Sequence, residues 1–361
     1  MKVAILANNN NSYVKITAEG LKRMFLQCQV KAKLFYKGLS MLEDDFPKKS
    51  LKGRFKEILF KSFINQLGSY DLIIIVAGVP NAFLKNRLGK IEFIRKVFPQ
   101  IPIVNYSNYY LPTINKWGAM MLKGRDDGFT EEEKSTLKDG FYGMERYDWY
   151  LAASVVSVIP LSSKKHPYSR IGMNLDDKTL FWQEKQGFIA LVDFKQSRKD
   201  YPKYRKLQLQ ALKETGTKYV VLEGKYKINE IRKIYRKCSM FFVAARESFG
   251  LPICELQACG AYIFTPYSEW ASAHWLKEDL YKAGPGTLSP NFIVYNNSKR
   301  RLMAEIKHIK KVYNPEGVYN TFLANHPYLF YGNLAELKKF VQMVKKKKIH
   351  SNSHKKYLDL K

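Results

Sequence analysis

At 361 residues the chain is long enough for two domains of ordinary size, and its 46% hydrophobic content is sufficient for two cores. No apolar run reaches the ~18 residues that a membrane-spanning helix needs, and the apolar stretch at residues 3–7 is too short for a signal peptide. We therefore expect a cytoplasmic protein whose four cysteines are reduced.

The chain is strongly basic. It has 61 Lys and Arg against 32 Asp and Glu, which gives a formal net charge of +29. Net charge says little about fold, but it indicates the kind of partner a protein attracts. The candidate partners are an anionic membrane surface, nucleic acid and polyanionic glycans. A basic soluble surface without a specific partner is the remaining alternative.

Predicted strands and helices alternate through the first half of the chain. Alternation of this kind is typical of a parallel, doubly wound α/β sheet. The segment LSSKKHPY at residues 161–168 has the composition of a linker, and it places the end of this first domain at residue 163. Strands are expected at residues 3–7, 30–36, 71–77, 101–106 and 147–159, and helices at residues 13–27, 51–67 and 81–98.

Asparagines follow two of these strands, at the sheet edge where open α/β sheets bind ligands. Asn8, Asn9 and Asn10 come after the first strand, and Asn105 lies at the end of the fourth. Asparagine tolerates left-handed backbone conformations, which suits a tight strand-to-helix loop. The chain has no G-x-G-x-x-G motif, which argues against a dinucleotide-dependent dehydrogenase.

The same alternation continues in a second predicted domain, residues 164–332. Residues 333–348 form the last predicted helix, and the basic tail at residues 349–361 is expected to be disordered. Strands of this domain are expected at residues 187–194, 219–223, 240–245 and 261–265, and helices at residues 207–215, 229–237 and 302–313.

Residues 241–266 are the most informative stretch, with the sequence FFVAARESFGLPICELQACGAYIFTP. The pattern predicts a buried strand, a polar turn, a helix that starts near Pro252 and ends at Gly260, and a further strand. Glu247 and Glu255 stand on either side of the turn, with seven residues between them. The helix N-terminus offers free N–H groups to an anion, and Gly250 lets the backbone approach a ligand closely.

This stretch resembles the E-x7-E signature of retaining nucleotide-sugar glycosyltransferases with the GT-B fold, family-4 type. The family pattern is E-G-F-G-L-P-x-x-E-A-x-A-x-G. The chain departs from it at Ser248 and Leu256 and has Cys259 at a variable position, and none of these changes removes a polar function. The resemblance implies two Rossmann-like domains that face a cleft.

The resemblance also implies residue roles on the donor side. Glu255 would hold the nucleotide ribose, and Glu247 the hydroxyls of the transferred sugar. The backbone of Phe249, Gly250 and Leu251 would lie against the sugar and the diphosphate.

The family has an Arg and, five residues later, a Lys that face the diphosphate after the first strand of the second domain. Phe194 stands at the Arg position and Lys199 has the spacing of the Lys. We therefore assign Lys199 to stabilise the leaving diphosphate, with Lys195 as a stand-in for the Arg. Gly224 falls where the family has a glycine-rich loop near the nucleotide base.

The acceptor side would be formed by the loop of Asn8, Asn9 and Asn10, together with Asn105. In this fold the last helix, here residues 333–348, crosses back onto the first domain. The chain has no D-x-D motif, so we expect no metal. No cofactor is expected either, because the nucleotide diphosphate sugar serves as the co-substrate.

The expected activity is transfer of a sugar, with retention, to a cell-envelope glycan or its lipid-linked precursor. The enzyme would then be peripheral at the inner membrane face, where its basic residues attract anionic lipid. One alternative is a phage-type glycosyltransferase that modifies a flipped DNA base. Another is a non-catalytic sugar-nucleotide-binding protein, although the presence of both Glu247 and Glu255 counts against it.

Overall fold

The computed structural model describes residues 1–7, 12–36, 51–76, 85–107, 147–153, 168–175, 178–184, 187–195, 201–243, 250–266, 274, 276, 287–295 and 298–349. The chain divides into two compact units. Unit 1 comprises Met1–Asn174 and Gly332–Lys361, and unit 2 comprises Leu175–Tyr331. None of the helices in the described ranges is long and apolar enough to cross a membrane.

Unit 1 is built on a six-stranded parallel sheet with the strand order β2-β1-β3-β4-β5-β6. The central strand β3 has the sequence LIIIV and all five residues are buried, as expected for a parallel strand covered on both faces. The strands are β1 (Lys2–Leu6), β2 (Lys31–Phe35), β3 (Leu72–Val76), β4 (Ile103–Ser107), β5 (Trp149–Ala152) and β6 (Tyr168–Arg170).

Helices cover both faces of this sheet. Helix α1 (Ser12–Gln27) connects β1 to β2, while α2 (Leu51–Leu67) and α3 (Lys85–Val97) follow β2 and β3 in the opposite direction across the sheet. Because such crossovers are right-handed, α1 lies on one face and α2 and α3 lie on the other. The rings of Phe60 and Phe93, 5.9 Å apart, place α2 beside α3.

Helix α10 (Leu334–Lys345) is the last helix in the described part of the chain and belongs to unit 1. It packs against α1 and β6, and Asn333 caps it by accepting a hydrogen bond from the Glu336 N–H at 3.1 Å. Its apolar face joins the unit 1 core through Leu337, Phe340, Val341 and Val344. The helix therefore completes the hydrophobic core of a domain that starts more than 300 residues earlier.

Unit 2 has a five-stranded parallel sheet with the order β11-β10-β9-β7-β8. Its strands are β7 (Ile189–Val192), β8 (Lys218–Val221), β9 (Met240–Phe242), β10 (Tyr262–Thr265) and β11 (Phe292–Val294). Its helices are α4 (Tyr201–Glu214), α5 (Ile228–Lys237), α6 (Leu251–Ala258), α7 (Lys299–Val312), α8 (Pro315–Asn325) and α9 (Pro327–Phe330). The expected architecture of two parallel α/β domains is confirmed.

The domain boundary differs from the one expected at residue 163. Strand β6 pairs in parallel with β5, so the chain enters unit 2 only after Asn174. The strand expected at residues 147–159 is described as far as Ala152, where β5 ends. Ile349, assigned to a disordered tail from the sequence, is buried in the unit 1 core. Residues 350–361 lie outside the described part of the chain.

Candidate functional site

Helix α6 carries the described part of the E-x7-E stretch. Gly250 stands at its N-cap with Pro252 in the first turn, and seven of its eight residues are buried. It ends at Ala258, and Gly260, two residues later, has a φ of 79° that favours glycine. Neighbouring helices α5, α8 and α9 pack against it. Burial and these contacts hold α6 in the interior of unit 2, where it is a fixed support for Gly250 at its start.

The start of α6 has little room. A Cβ atom on Gly250 would lie 2.6 Å from Cδ1 and 2.8 Å from Cγ1 of Ile253, so a larger residue would displace the Ile253 side chain. Leu251 is buried. Glu247 and Phe249, the other predicted site residues of this stretch, lie outside the described residues.

Glu255 is held in a buried ion pair. Its Oε1 accepts hydrogen bonds from Arg232 Nη2 at 2.7 Å and from Arg232 Nε at 3.1 Å. Glu255 is 3% exposed and Arg232 is 5% exposed. Arg232 Nη1 also donates to Thr179 Oγ1 at 2.8 Å. The carboxylate is thus fixed by α5, a feature that sequence reasoning missed, and its contact with a ribose stays a prediction.

Tyr235, one turn after Arg232 on α5, is influenced electrostatically by this pair and by Asp193, the residue that follows β7. Burial raises the pKa of Tyr235 well above its ordinary value, and the nearby carboxylates of Glu255 and Asp193 raise it further. The phenol is therefore neutral at physiological pH. The Glu255 and Asp193 carboxylates therefore both lie within electrostatic range of this buried side chain.

The carboxyl end of β7 is tied to that of β8 by Arg205, from α4. Arg205 Nη1 donates to the Asp193 carbonyl at 2.8 Å, and Nη2 pairs with Glu223 Oε1 at 3.3 Å. Lys195, two residues beyond Asp193, is exposed. Lys199 lies outside the described residues. The guanidinium of Arg205, which the sequence did not predict as a site residue, therefore lies at the end of β7. The predicted diphosphate contacts Lys195 and Lys199 follow shortly after this point in the chain.

Two features at the same sheet edge fit a ligand-binding loop. Gly224 follows β8 with a φ of 75°, and a Cβ there would meet nothing within 4 Å. Phe194, at the family's Arg position, packs edge-on against Tyr226 with ring centroids 5.9 Å apart. Gly224 is thus required for its backbone conformation and not for close packing. The rings of Phe194 and Tyr226 pack together at the same edge of the sheet.

Unit 1 contributes Asn105, which lies in the middle of β4 (Ile103–Ser107) because the strand extends further than the sequence predicted. Its side chain is fully buried, and among the described residues neither Nδ2 nor Oδ1 has a hydrogen-bond partner. Burying amide groups without partners costs about 1–3 kcal/mol per group, and a functional role is one of the explanations for such a group in a native structure. Asn8, Asn9 and Asn10 lie outside the described residues, so whether they join Asn105 stays a prediction.

Metal ligands do not cluster in the described ranges, where no three His, Cys, Asp or Glu side chains come together. The expectation that activity needs no metal or cofactor stays a prediction.

No protein-family model matches the chain, and no curated protein sequence matches it significantly. Solved structures do. The UDP-GlcNAc 2-epimerase from Neisseria meningitidis bound to UDP-GlcNAc matches with a TM-score of 0.56 at 12% identity, over 96% of this chain and 100% of that chain. Trehalose-6-phosphate synthase matches with a TM-score of 0.55 at 10% identity, over 96% and 99%. The pneumococcal O-GlcNAc transferase in complex with UDP and GlcNAc matches with a TM-score of 0.50 at 12% identity, over 83% and 62%.

These similarities concern the fold, because the identities are too low to carry over an activity. Two of the three neighbours span nearly the whole of both chains. Together with the two parallel-sheet units, they show that this chain has the GT-B fold, as the sequence predicted.

Proposed function

We propose that the chain is an enzyme that acts on a nucleotide diphosphate sugar, and specifically a retaining glycosyltransferase. The observation that carries this proposal is the E-x7-E stretch, which joins β9 to a buried helix in unit 2 of a GT-B fold. Structural neighbours bound to UDP-GlcNAc or to UDP and GlcNAc support the nucleotide-sugar part. A neighbour studied for glycosyl transfer with retention supports the stereochemical part.

In this proposal the donor binds at the carboxyl ends of the unit 2 strands. Glu255 holds the ribose, oriented by its hydrogen bonds with Arg232. The backbone of Phe249, Gly250 and Leu251 faces the sugar and the diphosphate, where the N-terminus of α6 adds its partial positive charge.

The remaining donor contacts come from the loops after β7 and β8. Lys199 and Lys195 neutralise the leaving diphosphate, and Gly224 lies near the base. Glu247 contacts hydroxyls of the transferred sugar.

The acceptor is a cell-envelope glycan or its lipid-linked precursor, and it binds to unit 1. Asn105 supports this assignment, because its buried amide has hydrogen-bonding groups to offer and no partner among the described residues. Asn8, Asn9 and Asn10 follow β1, which is separated from β4 by the single strand β3, and they would contribute to the same side of the sheet.

A nucleotide-sugar epimerase is the second candidate, because the fold of the UDP-GlcNAc 2-epimerase from Neisseria meningitidis is similar over 96% of this chain. The two functions differ in their products. A transferase moves the sugar to an acceptor or, slowly, to water, and releases the nucleotide diphosphate. An epimerase inverts a sugar carbon, and a full turnover leaves the inverted sugar on the nucleotide.

The test is a thermal-shift panel of nucleotide sugars, followed by product analysis with the donor that stabilises the protein most. We expect nucleotide diphosphate release that survives EDTA. Glu247→Gln should lower kcat by about 10²-fold, the scale of one lost electrostatic contact in the transition state. Glu214→Gln, an exposed carboxylate on α4, is the matched control and should retain full activity.

Three outcomes would count against parts of this proposal. Stabilisation by no nucleotide sugar would remove the nucleotide-sugar function altogether. A changed sugar on an intact nucleotide would favour the epimerase. Full activity of Glu247→Gln would deprive the E-x7-E stretch of its proposed role.

A further inference from the structure

Large apolar side chains project into solvent from the two helices α2 and α3 of unit 1. Phe55 is 62% exposed and Ile58 is 63% exposed, and Leu59, on the same helix, is also exposed. Helix α3 exposes Phe93 and Val97. The spacings of three and four residues align these side chains along the outward side of each helix.

Apart from Phe93, whose ring contacts that of the core residue Phe60, these outward side chains are not part of the core. The core-forming side chains of these helices are Phe60, Phe63, Ile64 and Leu67 of α2 and Ile91 and Ile94 of α3. Since α2 and α3 lie side by side on one face of the sheet, their exposed apolar residues form one surface. We call it the α2–α3 outer face, defined by Phe55, Ile58, Leu59, Phe93 and Val97.

Basic residues border this surface. Arg54 and Lys61 of α2 and Lys96 of α3 are exposed beside the apolar side chains. Over its whole length α2 has four Lys or Arg and one Glu. Helix α3 has five Lys or Arg and one Glu, and one of its cations, Arg95, is buried in a 2.7 Å pair with Asp148. Apolar residues flanked by cations are the pattern of helices that lie in a membrane interface.

We propose that the α2–α3 outer face docks the protein on an anionic lipid surface. The apolar side chains enter the headgroup region, and the surrounding Lys and Arg residues attract anionic lipids. A second copy of the chain fits this face less well, because two equally basic faces repel each other and the chain carries a net charge of +29. The inference goes beyond the proposed enzymatic function and does not depend on it.

Helix α10 provides the contrast that makes the proposal testable. Lys338, Lys339, Lys346 and Lys348 line an open groove of about 340 Å³ on it, together with Gln342 and Met343. Among the described residues, none of the large exposed apolar side chains belongs to α10. Because α10 packs against α1, it lies on the opposite face of the sheet from α2 and α3. If charge alone drove membrane binding, both the α2–α3 outer face and α10 would contribute to it. Insertion of apolar side chains favours binding through the α2–α3 outer face only.

The experiment is co-sedimentation of the full chain with vesicles of phosphatidylcholine, alone or mixed with phosphatidylglycerol. We expect binding only to the mixed vesicles, with a steep decrease as salt is added. Phe55→Ser combined with Ile58→Ser should weaken binding by about 100-fold, because two side chains no longer enter the bilayer. Leu26→Ser is the matched control, since Leu26 is 72% exposed on α1, on the other face of the sheet.

A second pair of variants separates position from charge. Arg54→Gln with Lys61→Gln should weaken vesicle binding by about tenfold or more. Lys338→Gln with Lys339→Gln removes the same charge from α10 and should leave most of the binding. Lys61 and Lys339 each pair with a Glu on their own helix, so the local cost of the two changes is similar. All the substituted side chains are exposed or line the α10 groove, and unchanged melting temperatures will show that each variant is folded.

The proposal is overturned by any of four results. Equal binding to neutral and anionic vesicles removes the role of charge. Equal losses in the α10 and α2–α3 variants mean that only net charge matters. If the unchanged protein is a dimer that does not bind vesicles, and Phe55→Ser with Ile58→Ser makes it a monomer, the face is assigned to a second copy of the chain. Binding of duplex DNA, lost in Arg54→Gln with Lys61→Gln while vesicle binding is unchanged, assigns it to nucleic acid.

Discussion

The ion pair of Arg232 and Glu255 places two charges in the interior of unit 2. Removing one partner of such a pair leaves a buried charge uncompensated, which costs about 3–5 kcal/mol. We expect Arg232→Met to lower the free energy of unfolding by about this amount, and Arg232→Met with Glu255→Leu to recover most of it. Urea denaturation at neutral pH measures both variants.

The same variants separate stability from ligand binding. The double variant should be folded yet bind nucleotide sugar weakly, because it has no carboxylate for the ribose. Lys237→Met, on the same helix as Arg232 and outside its buried set, is the control. If the double variant is folded and binds the donor as the unchanged protein does, then the pair serves only to stabilise unit 2.

A second prediction at this scale concerns pH. His274 is buried, with its ring centroid 4.3 Å from that of Phe292. Burial, and then the nearby His326, lowers the pKa of His274 to about 3. Between pH ~6.5 and that value, only the unfolded chain protonates this residue, so stability falls as pH falls, by up to ~1.4 kcal/mol per pH unit.

His274→Asn should therefore make the stability of the protein less sensitive to pH over this range. Urea midpoints measured from pH 7 down to pH 4 test it, with His308→Asn on the exposed side of α7 as the matched control for loss of an imidazole. The same slope in His274→Asn and in the unchanged protein would contradict the prediction.

Residues differ in how far the sequence identifies them as site candidates. Glu255 was predicted because its motif is local, with both carboxylates and the glycine within a few positions. Arg232 was not, because its partner lies 23 positions further along the chain on another helix. The available signal was an arginine on the buried side of an amphipathic helix, one turn before Tyr235. Asn105 was predicted from its expected place at a strand end, but only the packing of the folded chain shows that its amide has no partner among the described residues.

At the scale of elements, two helices of unit 2 end in the same way and differ in their surroundings. Gly260 after α6 and Gly216 after α4 both have left-handed backbone, with φ of 79° and 57°. A Cβ on Gly260 would lie 2.7 Å from both Cβ and the carbonyl O of Pro315, whereas a Cβ on Gly216 would meet nothing within 4 Å. We expect Gly216→Ala to cost about 1 kcal/mol of stability, and Gly260→Ala roughly 2–4 kcal/mol.

The difference between the two costs measures how tightly α6 is packed against α8. Thermal or urea denaturation of both variants gives it directly. Similar costs would mean that α8 moves away from α6 without a loss of stability. In that case α6 would not be a fixed support for the predicted donor-binding backbone at residues 249–251.

Elements were predicted best where their hydrophobic pattern is strong. The helix expected at residues 51–67 has the bounds of α2 (Leu51–Leu67), because apolar residues recur along it at helical spacing. Strand β6 was missed. It has only three residues, YSR, with a single fully buried position, and it exists because β5 offers an unpaired edge. Tertiary pairing of this kind leaves no periodicity to detect, and for that reason the domain boundary was placed too early.

At the scale of the whole molecule, unit 1 is assembled from two distant segments and unit 2 from one continuous segment. The Asn333 N–H donates to the Ile171 carbonyl at 2.7 Å within unit 1, and the Leu175 N–H donates to the Phe330 carbonyl at 2.9 Å within unit 2. The chain therefore leaves unit 1 and returns to it at neighbouring positions. Within each unit, the residues at which the chain would be divided lie close together. Each unit can therefore be produced as a separate fragment.

We therefore predict that residues 175–331 fold alone and that residues 1–174 do so only when residues 332–361 are joined to them by a short Gly-Ser linker. The second segment buries Leu337, Phe340, Val341, Val344 and Ile349 in the unit 1 core, which contributes roughly 8–15 kcal/mol, as much as the net stability of a whole domain. Circular dichroism and urea unfolding of the three fragments test this, and cooperative unfolding of residues 1–174 alone would contradict it.

Because every proposed donor residue lies in unit 2, the 175–331 fragment should also bind the nucleotide diphosphate. Failure of a folded fragment to do so would mean that unit 1 supplies part of that site.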